Sequence, residues 1–560
     1  MKKLRINIDG REVTGIAGQT ILEACKDHGI DIPTLCYDER TEIYGSCGLC
    51  VVEVAGNPKL VKACATPITE GMEITTRSKR IIESRKTNLE LLLSNHIGDC
   101  VAPCQLACPG QTDCQGYVGL IANGEYEAAI ELIKKKLPLP ASIGRVCPHP
   151  CEKACRRGLI DEPISILWLK RFAADLDIDA GMFMPEIAED SGKSVGIIGG
   201  GPAGLTAAYF LRAAGHAVTI YEAMPKMGGM LRYGIPEYRL PKAVLDEEVE
   251  LIEAMGTTFV NNVRVGKDIH FDEIRNGHDA VFIALGAWTS SGLRCEGVDS
   301  EGVVGGIELL RRVSNGEAFE LGDRVAVVGG GNTAMDACRT AVRLGAKEVY
   351  NIYRRTVAEM PAEEDEIKEA QEEGVIFKNL CNPAEIIADD QGKVTQMRLQ
   401  KMALGEPDAS GRRRPVPIEG EIEVIDVDTV ILAIGQGIDP SGLEAVEQTD
   451  WHTIIADEET FATNLDGVFA GGDCINKGAS IAIKAIGDAK KAVGFIEDYL
   501  NGKAIEYRQP YYVTRDDIDA DDLEGRQPYK RPVMAHLAPE ARKDNFEEIV
   551  KGYTPEQARE

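Results

Sequence analysis

The stretch KSVGIIGGGPAGLTAAYFLRAAGHAVTIYE, residues 193–222, decides the fold of this chain. An apolar strand runs into a glycine-rich turn, an Ala- and Leu-rich helix follows, and a second strand ends in an acid. This order predicts a Rossmann-type β-α-β unit in which the helix N-terminus faces the phosphates of a dinucleotide. In such a unit Gly199 makes the tight turn, Gly201 lets the pyrophosphate approach, and Gly204 lets helix and strand pack closely. Glu222 is placed to accept a hydrogen bond from a ribose hydroxyl.

A second glycine loop lies further along, in RVAVVGGGNTAMDAC (residues 324–338). Gly329, Gly331 and Ala334 take the places of the three small residues of the first loop. The strand that follows this loop, VYNIYRR, ends in Arg354 and Arg355 where the first unit ends in an acid. A guanidinium suits a 2′-phosphate better than a pair of ribose hydroxyls, so these arginines predict NADP(H) rather than NAD(H). The alternative is two arginines on a solvated strand end.

The first 80 residues carry a cysteine pattern of their own. A strand, an Asp9–Gly10 turn, a second strand and a helix are predicted ahead of a cysteine-bearing loop. Four thiolates are enough for a [2Fe–2S] cluster, and Gly45 and Gly48 free the backbone to wrap around the sulfurs. A zinc site or buried cysteines would be the alternative. Cys25, on an apolar helix face, is predicted to belong to the core. The four candidate ligands are Cys36, Cys47, Cys50 and Cys64.

Seven further cysteines lie in two groups between Cys100 and Cys155. The residues between the groups have helical periodicity with a break at Gly124, which predicts that helix packing brings the groups together. With one nearby histidine these cysteines make eight ligands, enough for two [4Fe–4S] clusters. The candidate ligands are His96, Cys100, Cys104, Cys108, Cys114, Cys147, Cys151 and Cys155.

Composition limits the class of protein. The formal net charge of −28 over 560 residues argues against nucleic-acid binding and against a polybasic membrane-binding surface. The N-terminal residues lack the apolar core typical of a signal peptide, and no apolar run approaches the ~18 residues of a membrane helix. Sixteen cysteines in such a chain are better explained as reduced ligands than as disulfides. We therefore expect a soluble, cytoplasmic protein without membrane insertion.

The cysteine region resembles a known family. The segments ACPGQTD, GEYEAAIELI and GRVCPHPCEKAC look like the N-terminal cluster domain of the glutamate synthase small-subunit family. That family includes dihydropyrimidine dehydrogenase and the large subunit of the bifurcating NADH-dependent ferredoxin:NADP oxidoreductase. The resemblance implies that the ligands interleave. One cluster would take Cys100, Cys104 and Cys155, and the other would take Cys108, Cys147 and Cys151.

The fourth ligand of each cluster is where this sequence departs from that family. The cysteine that opens the first group in the family is missing, and His96 stands near its place. A surface histidine in a loop is the alternative. For the second cluster, relatives use a carboxylate or an amide at the position that Lys170 occupies here. A protonated lysine cannot ligate iron, so Cys114 is the better candidate.

Two more resemblances concern the flavin and the N-terminal domain. TNLDGVFAGGDC, which contains Asp473, matches the closing flavin motif of two-dinucleotide flavoproteins, and implies that the first glycine loop binds FAD. GGMLRYGIPEYRLP, which contains Gly229, resembles a segment beside the isoalloxazine in the glutamate synthase small-subunit family. The spacing of the first four cysteine ligands resembles the [2Fe–2S] domain of complex I and of multisubunit iron hydrogenases.

These patterns together predict an α/β fold class. Two Rossmann-like domains are expected, with the NADP domain inserted in the FAD domain, after a β-grasp [2Fe–2S] ferredoxin-like domain and an α-helical [4Fe–4S] domain. The expected order is the [2Fe–2S] domain (1–80), the helical cluster domain (81–190), the first FAD part (191–317), the NAD(P) domain (318–434), the second FAD part (435–505) and a C-terminal tail (506–560).

The expected function is electron transfer between NADP(H) and iron–sulfur clusters through a flavin. Neither glycine loop is accompanied by the C-x2-C or C-x4-C dithiol of disulfide reductases, so electrons must leave through the clusters or through a second substrate. Hydride transfer requires no protein acid or base, so we expect no catalytic side chain. The expected protein is an oxidoreductase subunit, of the ferredoxin:NAD(P) transhydrogenase type, in a bifurcating complex that links NADP(H), NAD(H) and ferredoxin.

Other functions fit part of the pattern. One is a glutamate synthase small subunit, and another is the electron-input subunit of a formate dehydrogenase or hydrogenase complex. A third is a non-catalytic cluster scaffold with relic nucleotide loops. The added [2Fe–2S] domain favours the bifurcating complex over glutamate synthase, because the known small subunits pass electrons without it. Two intact flavin half-motifs count against the scaffold.

Overall fold

The computed structural model describes residues 2–39, 41–96, 98–290, 292–407 and 411–560. The chain divides into two compact units, Met1–Cys100 and Val101–Glu560.

The first unit is a β-grasp domain. Its sheet has the order β2-β1-β5-β3-β4, with β1 antiparallel to β2 and parallel to β5. The predicted turn between β1 and β2 is present, with φ angles of 53° at Asp9 and 83° at Gly10. The elements are β1 (Lys3–Ile8), β2 (Arg11–Ile16), α1 (Ile21–Asp27), β3 (Val51–Val54), β4 (Val61–Lys62), β5 (Glu73–Thr75) and α2 (Lys79–Ser94).

Helix α1 covers the sheet with an apolar face. Thr20 and Glu23 cap its N-terminus reciprocally, which satisfies two backbone donors that the helix cannot use itself. Ile21 and Leu22 are buried, as is Cys25. Burial raises the pKa of the Cys25 thiol to about 11. The prediction that Cys25 is a core residue is therefore confirmed.

The second unit begins with a bundle of short helices. Helix α8 packs against α4, α5 and α6, and α3 packs against α7. Gly124, at φ 81°, ends α4 and confirms the predicted break. The helices are α3 (Pro103–Ala107), α4 (Cys114–Asn123), α5 (Tyr126–Lys134), α6 (Pro140–Val146), α7 (Pro150–Lys153) and α8 (Ile166–Ala180).

The first Rossmann-like domain follows the bundle. A buried strand leads into the glycine turn and then into a helix, as the sequence predicts. Its elements are β6 (Ser194–Ile198), α9 (Pro202–Ala213), β7 (Ala217–Glu222), α10 (Met230–Tyr233), α11 (Lys242–Ala254), β8 (Thr258–Asn261), α12 (Phe271–Gly277) and β9 (Ala280–Ile283).

The second Rossmann-like domain interrupts the first. Its parallel sheet has the order β11-β18-β12-β13-β14, and an antiparallel sheet of β15, β16 and β17 is attached. The elements are β10 (Thr289–Ser290), β11 (Val303–Gly305), α13 (Gly306–Ser314), β12 (Arg324–Val328), α14 (Asn332–Arg343), β13 (Glu348–Tyr353), α15 (Glu364–Glu372), β14 (Ile376–Asn379), β15 (Cys381–Ala388), β16 (Val394–Pro407), β17 (Arg413–Asp426), β18 (Thr429–Leu432) and β19 (Gln436–Gly437).

The chain then returns to the first sheet. Strand β20 (Val468–Ala470) pairs parallel with β9, which gives the order β20-β9-β6-β7-β8. Helix α16 (Ala482–Leu500) packs against α9. Because segments on both sides of the second domain build one sheet, the predicted insertion of one Rossmann-like domain in the other is confirmed.

The C-terminal residues are more than the tail that the sequence suggests. The acidic stretch before residue 526 is mostly exposed, but residues 534–560, which we call the strap, pack on the rest of the unit. The strap contains α17 (Pro539–Arg542) and α18 (Pro555–Arg559). Glu548 binds Arg145 of α6 at 2.7 Å and Arg171 of α8 at 2.9 Å.

A buried ionic network joins the strap to the second Rossmann-like domain. The carboxylate of Glu373, just after α15, binds Arg339 at 2.9 Å, Arg343 at 2.6 Å and Arg542 at 3.0 Å. Arg339 also binds Glu369 at 2.7 Å. Charges removed from water require such partners, since an unpaired one costs several kcal/mol. The network therefore fixes the strap to α14 and α15.

The structure describes no helix that is both long and apolar enough to cross a membrane.

The network predicts the effect of removing Arg542, which is 2% exposed. Arg542→Ala should lower the free energy of opening the strap by about 3 kcal/mol, because buried carboxylates lose a partner. Hydrogen exchange of strap peptides, followed by mass spectrometry, measures this opening. Lys347→Ala is the matched control. Its ion pair with Asp323 is exposed to solvent, so its loss should leave the exchange of strap peptides unchanged. Equal exchange in both variants would contradict the role of Arg542.

Candidate functional site

The first glycine loop leaves space where phosphates would lie. A Cβ on Gly199, at φ 104°, would collide with the carbonyl of Ala284, and one on Gly204 with the carbonyl of Gly199. A Cβ on Gly201 would meet nothing closer than the Cα of Gly229, at 3.7 Å. The outer two glycines thus allow close packing of backbone, and the middle one has only an ordinary van der Waals contact beside it. This arrangement fits a pyrophosphate at the N-terminus of α9.

Glu222 ends β7 beside this loop. It is 5% exposed, and its two carboxylate oxygens accept hydrogen bonds from the backbone N–H groups of Gly200 and Met224, both at 2.7 Å. Burial raises the pKa of this carboxyl. The position fits the predicted contact with a ribose hydroxyl.

A central cavity adjoins the loop and is built from several parts of the second unit. Gly199, Gly201 and Gly229 line one side of it, and Asp473 lines another. The carboxylate of Asp473 accepts a hydrogen bond from the backbone N–H of Ser480 at 2.9 Å, and burial raises its pKa. All the residues that the sequence assigns to FAD except Gly204 therefore line the cavity, although they are up to 274 positions apart in the chain (199 to 473).

Residues from the cysteine bundle also line the central cavity. Val146 and Pro148, on either side of Cys147, belong to its wall. Helix α6, which delivers Cys147, is held by Glu248 of α11. The Glu248 carboxylate accepts from the backbone N–H of Ala141 at 2.6 Å and from that of Ser142 at 3.1 Å. The first Rossmann-like domain therefore positions Cys147 next to the cavity.

The second glycine loop reaches the same cavity from another direction. Asn332, Thr333 and Asp336 of α14 line it. The carboxylate of Asp336 is occupied by Arg239, whose Nη1 lies 2.9 and 2.8 Å from its two oxygens. The first glycine loop, the helix that follows the second loop and the cysteine bundle thus contribute to one cavity.

A larger outer cleft runs along the second glycine loop. It has a volume of about 1060 Å³ and is lined by Gly329, Gly331 and Arg354 among others. A Cβ on Gly331 would meet only Pro361, at 4.0 Å, so this glycine also has room beside it. Ala334 is fully buried and packs under the loop. The geometry matches that of the first loop.

The two predicted arginines of the outer cleft have different surroundings. Arg354 is exposed. Arg355 is 6% exposed, and its Nε donates to the backbone carbonyl of Arg413 at 2.7 Å. A third arginine, Arg412, also lines the cleft. It was not identified from the sequence, although the run RRR at 412–414 marks the place.

The four cysteines of the first unit surround one loop. Cys47 donates its backbone N–H to Cys36 Sγ at 3.4 Å, and Cys50 Sγ lies 3.4 Å from Cys64 Sγ. Hydrogen bonds from the backbone of Cys47 lower the pKa of the Cys36 thiol to about 7. Amide donors of this kind stabilise a thiolate, and so fit cluster ligation.

Helix α2 supports that loop, which the sequence did not reveal. Asn88 Nδ2 donates to the carbonyl of Gly48 at 2.9 Å, and Arg85 donates to the carbonyl of Val51 at 2.9 Å. Gly45 and Gly48 have φ angles of 62° and 69°, which favour glycine.

The cysteines of the helical bundle come together through α3, α4 and α7. Cys108, Cys114, Cys147 and Cys151 are all buried. Hydrogen bonds with Cys114 lower the pKa of Cys104 to about 7 and also lower that of Cys151. Burial raises the pKa of the Cys147 thiol to about 11. The positive charge of Lys170 opposes this shift, and it also lowers the pKa of Cys151. The bundle therefore brings the two cysteine groups together.

The remaining candidate ligands belong to different units. His96 and Cys100 end the first unit, where His96 Nε2 lies 3.8 Å from Cys100 Sγ and both side chains are exposed. Cys104 and Cys155 belong to the second unit and are half-buried.

The described residues contain no group of three or more His, Cys, Asp or Glu side chains that could hold a single metal ion. Cluster ligation does not require one. With four cysteine ligands, each iron of a [2Fe–2S] cluster takes two thiolates and each iron of a [4Fe–4S] cluster takes one.

Sequence comparison adds to this geometry. The profile of the pyridine nucleotide-disulphide oxidoreductases matches residues 193–492, which hold both glycine loops. The chain belongs to this family. A 2Fe-2S iron–sulfur cluster-binding domain matches residues 1–79. The dihydropyrimidine dehydrogenase domain II, with its 4Fe-4S cluster, matches residues 94–182. The family resemblance expected from the sequence is confirmed, and so are the FAD/NAD(P), [2Fe–2S] and [4Fe–4S] domains.

Three relatives indicate the breadth of similar proteins. The beta subunit of an NADP(+)-dependent formate dehydrogenase of Moorella thermoacetica is 44% identical, over 71% of this chain and 60% of that subunit. The beta subunit of an NADPH-Fe(3+) oxidoreductase of Geobacter sulfurreducens is 37% identical, over 82% of this chain and 73% of that subunit. The small chain of an NADPH glutamate synthase of Azospirillum brasilense is 35% identical, over 73% of this chain and 89% of that chain.

Proposed function

We propose that this chain is the NADP(H)-reacting subunit of a multisubunit electron-transfer complex. It would be an NAD(P)H-dependent oxidoreductase that exchanges a hydride between NADP(H) and FAD and relays single electrons through iron–sulfur clusters. The lining of the central cavity is the main support for this proposal. The central cavity is lined by Asn332 and Thr333 of the second glycine-loop helix, and also by Val146 and Pro148 on either side of Cys147.

In this proposal the side chains of the protein position the cofactors and do not transfer protons. Bound FAD would exchange two electrons with NADP(H) as hydride and one electron at a time with the clusters. Asn332 and Thr333 border the space that a nicotinamide would enter, while the residues around Cys147 border the exit. Asp336 is already paired with Arg239, so its carboxylate is committed to that ion pair.

The two glycine loops and the residues around them would hold the dinucleotides. The FAD set is Gly199, Gly201, Gly204, Glu222, Gly229 and Asp473. The NADP(H) set is Gly329, Gly331, Ala334, Arg354 and Arg355. The room beside Gly201 and Gly331 supports both assignments.

The proposal includes three clusters. Cys36, Cys47, Cys50 and Cys64 would hold a [2Fe–2S] cluster. Cys108, Cys114, Cys147 and Cys151 would hold one [4Fe–4S] cluster, a set that the proximity of Cys114 to Cys151 supports. The set for the other, His96, Cys100, Cys104 and Cys155, rests on the sequence.

Three complexes with different partner subunits are candidates for this chain. We favour a bifurcating complex that links NADP(H), NAD(H) and ferredoxin, because the chain carries a [2Fe–2S] domain in addition to the helical clusters. The Moorella relative, at 44% identity, favours a formate dehydrogenase complex as a second candidate. A glutamate synthase small subunit has support from the Azospirillum chain.

Native purification followed by mass spectrometry tests these partners. A co-purifying flavin subunit of the complex I type, with NADP⁺ reduction that needs both NADH and ferredoxin, is the result expected for the bifurcating complex. Formate-dependent NADP⁺ reduction with a formate-oxidising partner would replace it by the second candidate. A glutaminase-bearing partner would replace it by glutamate synthase.

The purified chain should contain one FAD and about ten iron atoms, the content of one [2Fe–2S] and two [4Fe–4S] clusters. Anaerobic NADPH should bleach the flavin and then produce the EPR signals of reduced clusters. Iron near two atoms per chain would remove the helical clusters from the proposal. A flavin that NADPH does not reduce would remove its role as the electron entrance.

The fourth ligands can be tested separately. Cys114→Ala and His96→Ala should each make one [4Fe–4S] cluster labile, with loss of about four iron atoms. His96→Cys should keep the iron but lower the potential of its cluster, since thiolate adds the negative charge that neutral imidazole lacks. Redox-poised EPR measures both effects. Cys295→Ala is the control and should change neither. A variant with both clusters and unchanged potentials would show that its residue is not a ligand.

A further inference from the structure

The outer cleft has a strongly cationic lining in a chain of net charge −28. Four of its described lining residues are cationic, namely Arg354, Arg355, Arg412 and Lys477. None of the described residues that line it is aspartate or glutamate. This composition selects an anionic ligand, and contrasts with the first loop, where Glu222 stands at the ribose position.

We propose that Arg412 is a specificity residue for NADP(H), which contacts the 2′-phosphate together with Arg354. The same geometry assigns Arg355 to a different task, as the residue that positions Arg412. The inference deepens the proposed function and rests on it. It adds a contact from the residue directly before β17, whereas the sequence pointed only to the end of β13.

Arg355 is suited to positioning because its side chain is buried and directed at main chain. Its Nε donates to the carbonyl of Arg413, the residue that follows Arg412, at 2.7 Å. The backbone continues this connection. Leu380 donates its N–H to the carbonyl of Arg355 at 3.0 Å, and Met402 donates to that of Leu380 at 2.8 Å. The end of β13 is therefore tied to the β16–β17 hairpin.

The hairpin is also braced across its own two strands. The guanidinium of Arg413 donates to the carbonyl of Leu404 at 2.9 Å and to that of Gly405 at 3.1 Å. Pro407 pairs with Arg413 in the register of β16 and β17. Arg413 is thus committed to the hairpin, whereas Arg412 lines the cleft. A planar guanidinium there can bind a phosphate through two hydrogen bonds.

Binding of nucleotides to the oxidised holoenzyme tests the assignment. Calorimetry would measure the Kd of NADP⁺ and NAD⁺, and of the fragments 2′,5′-ADP and 5′-AMP. Arg412→Ala should weaken NADP⁺ and 2′,5′-ADP by roughly 10- to 100-fold, the effect of one lost charge-assisted hydrogen bond. NAD⁺ and 5′-AMP should be unaffected. Arg414→Ala is the matched control, since this exposed arginine lies outside the described lining, and it should change no Kd.

A double variant tests the positioning role. Arg355→Lys keeps the charge but loses the Nε–H that holds Arg413. If Arg355 acts through Arg412, Arg355→Lys combined with Arg412→Ala should be no weaker for 2′,5′-ADP than Arg412→Ala alone. Additive losses would overturn the positioning role, because they would mean that Arg355 contributes independently.

The outcomes separate this inference from the function on which it rests. If the wild type prefers NADP⁺ and Arg412→Ala keeps that preference, the assignment of Arg412 is wrong while the NADP(H) function stands. Equal weakening of NADP⁺ and NAD⁺ by Arg412→Ala would also overturn it. A wild type that binds NAD⁺ as tightly as NADP⁺ would overturn both. Flavin absorbance and iron content should remain unchanged in every variant.

Discussion

The need to compensate buried charge around helix α14 constrains the rest of the second unit. Arg339 and Arg343 of this helix bind Glu373, and Asp336 binds Arg239 of the segment beside the central cavity. The same helix begins at the second glycine loop and presents Asn332 and Thr333 to the central cavity. One element thus carries both the ionic network and the nucleotide-facing residues. Moving this helix away would leave buried charges without their partners, at a cost of several kcal/mol.

The cysteine bundle is held to the same cavity by another buried charge. Glu248 accepts from the first backbone N–H groups of α6, and α6 leads to Cys147. The strap reinforces this arrangement, since Glu548 reaches α6 and α8 while Arg542 reaches α15. The entrance and the proposed exit for electrons are therefore fixed relative to one cavity by polar contacts between segments that are remote in sequence. Proximity of this kind is what a flavin needs when it exchanges hydride with one partner and single electrons with another.

The arginines at and near the outer cleft differ in their surroundings, although they have the same side chain. Arg354 and Arg355 are neighbours at the end of β13, yet one is exposed and the other is buried against the main chain of a hairpin. Arg413, next to Arg412, braces the hairpin itself. Charge alone is common to these arginines. Their burial and their hydrogen-bond partners distinguish a residue that meets a ligand from residues that hold it in place.

The sequence by itself determined the features that depend on local spacing. Short runs of neighbouring residues define the glycine turn at Gly199 and Gly201, the acid at Glu222 and the cysteine group at Cys147. These runs therefore predicted the two Rossmann-like domains and the cluster domains. Only the tertiary structure decided which distant residues meet. The contact of Arg355 with residue 413, the wall that Val146 shares with Gly199 in the cavity and the burial of Arg542 against Glu373 all join segments separated by at least 53 positions (146 to 199). Such pairings follow from how whole sheets and helices pack, for which no local pattern exists.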